Sequence, residues 1–239
     1  MGRMACVALA LVLGGCSLGR SYRPEAFGPK KKLAIAVYYT PSKIMYFRGE
    51  GGGSLSGLVK MATGAKFSDD SARIFAETKP RILKALAGTG KFRLVPEKDV
   101  LRTKAYRALP EKDPSYLTIT FVPASGYKFC TDVDAMAQLA RDLGVDAVMV
   151  VRLDFGYHMN GVNAFGLVSA GVIHASVMVS VGAIDRDGRT IWKDWVKGVS
   201  DDGIPSIGES VDFDHLYPML LDATKKGVED IAHRLVENV

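Results

Sequence analysis

Cysteine is scarce, with three in 239 residues, at positions 6, 16 and 130. Cys6 lies in an apolar leader and Cys16 closes it, so Cys130 stands alone in the body of the chain and no intramolecular disulfide is available there. A buried structural thiol is the expected role for Cys130. No Cys-x-x-Cys pair or Cys/His cluster offers a zinc site. His158, His174, His215 and His233 share no metal-ligand spacing, and each reads as a surface or satisfied histidine. Asp201, Asp202, Asp212 and Asp214 meet no calcium-loop spacing and read as a solvated loop. Gly88-Thr89-Gly90-Lys91 is not a phosphate loop: Ala85 stands where the first glycine belongs, and Phe92 replaces the Ser or Thr. The glycines from Gly49 to Gly57 do not lie in a tight strand-to-helix turn, which argues against a dinucleotide fingerprint. No metal or cofactor is expected.

Net charge is also missing from the body. Of the formal +5, Arg3 supplies one charge in the leader, and residues 17–32 supply four through Arg20, Arg23, Lys30, Lys31 and Lys32 against Glu25. Residues 33–239 are therefore neutral. A neutral body is poor at neutralising phosphates, so nucleic acid is not the expected partner. A basic segment ahead of it suits an anionic membrane surface.

What is present begins at the N-terminus. Arg3 forms a small positive region, and Met4 to Leu13 is a ten-residue apolar run. That run is too short to span a bilayer as a helix and of the right length for the core of a signal peptide. Leu13-Gly14-Gly15-Cys16 follows. This resembles the bacterial lipobox, whose cysteine becomes the new N-terminus and carries lipid. The alternative is an ordinary secretory signal with a chance cysteine. Ser17 stands where an aspartate tends to retain lipoproteins in the inner membrane, so the resemblance implies an outer-membrane address on the periplasmic side. The expected organisation is a signal peptide over 1–15, a lipidated Cys16 with a basic linker over 16–32, and one domain over 33–239.

That domain is organised around Asp132 to Phe155. Thr131 and Asp134 read as a capping box. Val133, Met136, Ala137, Ala140 and Leu143 trace one helical face, and Gly144 fits the positive φ of a C-terminal stop. A strand follows, apolar on both faces at its centre, as in a sheet covered by helices. Leu33 to Tyr39 reads as another central strand. Ser42 to Phe67 reads as a glycine-rich loop. A helix from Ser68 carries an apolar stripe that includes Lys79, and Pro80 is expected to kink or split it. Phe92 to Val95 and Tyr116 to Val122 are short strands. Gly156 to Gly171 reads as a second glycine loop, and Gly171 to Ile184 as a long strand. Asp185-Arg186-Asp187-Gly188 is a hairpin turn, and Thr190 to Lys197 returns. Residues 198–212 read as loop, and a helix closes the chain from about Phe213 to Glu237. The fold class is α/β: a mixed sheet of about five or six strands with helices packed on it.

Two short motifs, Leu143-Gly144-Val145-Asp146-Ala147 and the hairpin running from Asp185 to Trp192, resemble a group of envelope domains. The group comprises the curli-secretion lipoprotein CsgG, the penicillin-binding-protein activator LpoB and the N-terminal domain of TolB. The resemblance implies a cell-envelope protein that binds partners or self-associates and is not an enzyme. The expected function is a membrane-anchored binding or assembly module. A subunit of an oligomeric outer-membrane secretion channel is the alternative, and a periplasmic enzyme a further one. Trp192 and Trp195, three apart, cannot share a face of a regular strand, so one is expected in the core and the other exposed as a binding anchor. Tyr157, Asn160 and Asn163, in the second glycine loop, complete the candidate partner-binding residues.

Overall fold

The computed structural model describes residues 19–42, 44–47, 67–113, 115–116, 119–164, 168–207 and 213–238. Its described strands are β1 (Ser21–Tyr22), β2 (Lys32–Pro41), β3 (Met45–Phe47), β4 (Arg93–Leu94), β5 (Ser115–Tyr116), β6 (Ile119–Pro123), β7 (Ala147–Ala164), β8 (Val168–Asp185), β9 (Thr190–Val199) and β10 (Ile204–Ile207). Five helices accompany them: α1 (Phe67–Gly88), α2 (Glu97–Leu101), α3 (Lys104–Ala108), α4 (Val133–Asp142) and α5 (Phe213–Asn238). No described helix is long and apolar enough to cross a membrane.

The sheet is mixed and runs in the order β1-β9-β8-β7-β2-β6-β5. β2 lies parallel to β7 and β4, and β7, β8 and β9 form an antiparallel meander. One face of the sheet buries Leu33, Met149, Val151, Leu153, Val177 and Val179 with Ile74 and Leu86 of α1 and Leu220 and Ile231 of α5. The other buries Ala34, Val148 and Val150 with Val100 of α2, Tyr106 of α3 and Met136 and Leu139 of α4. This is the α/β class expected, in three layers. β2 and β7 are apolar on both faces because both faces are covered.

The turns follow local chemistry. Asp132, rather than Thr131, caps α4: its Oδ1 accepts from the N–H groups of Asp134 (3.0 Å) and Ala135 (3.1 Å). An Asp carboxylate one residue nearer the helix outcompetes the expected threonine box. Gly144, at φ +65°, ends the helix. Its N–H bonds the Arg141 carbonyl while that of Val145 bonds Ala140, a Schellman stop. Gly188, at φ +79°, completes the β8–β9 turn, where Asp185 Oδ1 accepts from the N–H groups of Asp187 (2.9 Å) and Arg189 (2.8 Å).

Several expectations are corrected. The described residues form ten strands, not five or six. Gly156 to Gly171 is not a loop: β7 runs through it to Ala164 and β8 starts at Val168. Glycines are accommodated there because the hairpin strands ladder together along their length, β3 extends one edge and β10 the other. β10 likewise replaces part of the loop expected over 198–212, and β3 part of that over 42–67; residues 48–66 lie outside the described ones. α1 is continuous through Pro80. Lys79, within the apolar stripe, has its Nζ 5.7 Å from the Tyr127 ring centroid and 2.7 Å from Glu97 Oε1. Cys130 is buried, and burial pushes its thiol pKa up. The segment read as a linker joins the body early: Ser21 and Tyr22 pair with Lys193 and Trp192, and Phe27 is buried.

Candidate functional site

β9 alternates from Trp192 onward, past a register irregularity that leaves Ile191 buried as well. Trp192, Asp194, Val196 and Gly198 are buried; Lys193 is half-buried, and Trp195 and Lys197 are exposed. The alternation is the ordinary period of two, and it decides which tryptophan does what. Trp192 is wholly buried, edge-on to Phe27 with ring centroids 6.3 Å apart. It is a core residue, so its candidacy as a partner-binding residue is corrected. Trp195 is 40% exposed.

The N-terminal segment is strapped to this strand. Arg20 Nε lies 2.8 Å from Asp194 Oδ1, and the Arg20 guanidinium stands 5.1 Å from the centroid of the Trp195 ring. The Tyr22 hydroxyl donates to the other Asp194 oxygen, the Trp195 N–H donates to Oδ1 at 2.8 Å, and the Arg23 N–H donates to the Ile191 carbonyl at 3.0 Å. Asp194 is inaccessible to solvent on its side chain. A buried carboxylate is tolerated only when paired and hydrogen-bonded, and here a guanidinium, a phenol and a backbone amide do this together. Burial first, then Asp194, pushes the Tyr22 phenol pKa up.

The β7–β8 hairpin carries the other candidates. Tyr157 points into the core with Phe155 and is 7% exposed; its place on the core face of β7 removes it from any partner surface. Asn160 is exposed on the opposite face, across from Val172. Asn163 is in β7, opposite Ser169, with its side chain outside the described ones. Cys16 lies outside the described residues. The structure thus brings Trp195 to the N-terminal segment, and leaves Asn160 on a separate part of the sheet.

On the Asn160 face lies a polar stripe, beyond the apolar centre of the strand, that was not among the candidate site residues. Arg152 Nη2 lies 2.6 Å from Asp154 Oδ1 and its guanidinium 5.2 Å from the Phe121 ring centroid. Both residues are largely shielded from water, and burial pushes the Asp154 pKa up against the pull of Arg152. Farther along, His158 stacks on its cross-strand partner His174 at 5.7 Å. The signal was present in the sequence: an Arg and an Asp two apart inside an otherwise apolar strand must pair with something.

No protein-family model and no curated protein matches the sequence. Among solved structures, the chain is similar to the C-terminal domain of LpoB from Salmonella enterica, at 16% identity over 71% of this chain and 83% of that one, with a TM-score of 0.30. It is similar to lipoprotein GNA1162 from Neisseria meningitidis, at 14% identity over 86% and 99% of the two chains, with a TM-score of 0.32. A minor lipoprotein from Acinetobacter baumannii overlaps at 9% identity over 87% and 90%, with a TM-score of 0.30. Overlaps this loose carry no argument about function, and the α/β class rests on the coordinates of this chain.

Proposed function

We propose that the chain is an exported lipoprotein of the bacterial envelope, anchored through lipid on Cys16 at the periplasmic face of the outer membrane, where it acts by binding or assembling other envelope proteins. The observation that carries this reading is the spacing between motif and fold. The Leu13-Gly14-Gly15-Cys16 motif ends four residues before Arg20, and Arg20 is already held by Asp194. Lipid attached at Cys16 therefore fixes a whole folded body at the bilayer, and does not merely end a free tail. A body presented in that way is suited to contacts with envelope partners, and Asn160 on the exposed face of the long hairpin is its candidate contact residue.

Affinity capture from detergent-solubilised envelopes tests the role. The full chain is expected to retain a discrete envelope protein, or a second copy of itself, and Asn160→Arg to lose it while remaining folded. Equal recovery by the two proteins contradicts the assigned surface.

A further inference from the structure

We infer that the outward face of β9, made by Lys193, Trp195 and Lys197, lies on the anionic headgroups of the bilayer that holds the lipid. This deepens the lipoprotein reading and rests on it. Three observations converge. First, reach: residues 17–20 span at most about 14 Å however they fold, so Arg20 cannot leave the neighbourhood of an acylated Cys16. Second, placement: the Arg20 guanidinium is 5.1 Å from the Trp195 ring centroid, so the exposed tryptophan is held at the same depth. Third, chemistry: the side chains flanking Trp195 on its face of β9 are lysines, and the acidic residue of this stretch, Asp194, is buried and paired with Arg20. Arg23, exposed and bonded through its N–H to Ile191, adds a cation at the same sheet edge. An amphipathic indole flanked by cations is the composition that membrane interfaces select, the ring at headgroup level and the charges toward anionic lipid. The bilayer that holds the anchor stays within reach of this face whatever protein the chain engages elsewhere.

The test uses the full mature lipoprotein, reconstituted into vesicles of phosphatidylethanolamine and phosphatidylglycerol with or without brominated acyl chains. Trp192 is buried in the core and serves as an internal reference. Brominated lipid is expected to quench the wild-type emission by about half, and Trp195→Phe to leave the remainder unquenched. Lys193→Glu with Lys197→Glu is expected to bring quenching down to the level of Trp195→Phe, as is replacing phosphatidylglycerol by phosphatidylcholine. Wild-type emission no more quenched than that of Trp195→Phe overturns the docking. Quenching that persists in the absence of anionic lipid overturns the electrostatic part. The mass of the N-terminal peptide reports acylation separately: an acylated protein with unquenched Trp195 sinks the docked face alone, whereas an unmodified Cys16 sinks the anchor.

Discussion

Arg20 and Asp194 are 174 residues apart in sequence and 2.8 Å apart in space. The pair fastens the first described residues of the chain to β9 near the edge of the sheet, and the carboxylate is shielded from water while the guanidinium remains half-exposed. Replacing Asp194 by Ala removes the acceptor of the Tyr22 hydroxyl and of the Trp195 N–H. We expect a loss of about 1–3 kcal/mol from the donors left unsatisfied, and, more specifically, faster tryptic cleavage after Arg20. Unchanged cleavage kinetics in a destabilised protein would show that the strap is held by something else.

Gly198 of β9 and Gly227 of α5 allow the last helix to touch the sheet. A Cβ on Gly198 would lie 2.0 Å from the Ala223 carbonyl oxygen and 2.6 Å from the Gly227 nitrogen, backbone atoms that cannot rotate aside. A Cβ on Gly227 would meet a methyl of the buried Val179 at 2.9 Å and the Gly198 nitrogen at 3.4 Å, a milder approach than that at Gly198 because the nearest atom belongs to a side chain. Gly198→Ala should therefore cost about 3 kcal/mol or more and Gly227→Ala markedly less. Chemical denaturation of the two variants checks the order.

Asp132 holds the start of α4. Its pKa lies below the usual carboxylate range, chiefly because the Ala135 N–H donates to the charged form, with Lys112 adding attraction. With the folded value lowered, the unfolded chain binds the proton more readily, so the stabilisation is complete above the unfolded value near pH 4 and is lost as pH falls through the folded value. Asp132→Ala should cost about 1 kcal/mol at neutral pH. The gap between wild type and variant should close in acid, as urea midpoints across pH would show.

Buried phenols set the alkaline limit. Desolvation raises Tyr39 and Tyr106 to about 12, and lifts Tyr38 and Tyr127 further. The folded chain keeps these protons when the unfolded chain, near 10, gives them up. Stability is therefore fully present below pH 10 and declines as pH rises toward 12. Phenolate absorbance should appear in step with the loss of near-ultraviolet circular dichroism. Smooth ionisation of all tyrosines in a folded protein would contradict this.

Where one residue decides a structure, the sequence was readable. Gly144 stops α4, Asp185 and Gly188 turn the hairpin, and β9 separates its two tryptophans as the period of two requires. Long-range pairing was not readable. The glycines and asparagines between Gly156 and Gly171 have the composition of a loop, and it is the ladder of the β7–β8 hairpin, extended at its edges by partners distant in sequence such as Ser206 opposite Gly171, that makes them strand. Arg20 reads as one more cation of a tether until Asp194 is found beside it. Tyr157 is available only in a loop; in a continuous strand its parity sends it inward with Phe155.

The lipid on Cys16 is the claim on which the rest depends, and the mass of the N-terminal peptide of the protein purified from membranes tests it most directly. The account predicts a peptide that begins at Cys16 and carries acyl chains, absent in Cys16→Ser. A peptide that retains residues 1–15, or an unmodified Cys16, would contradict it.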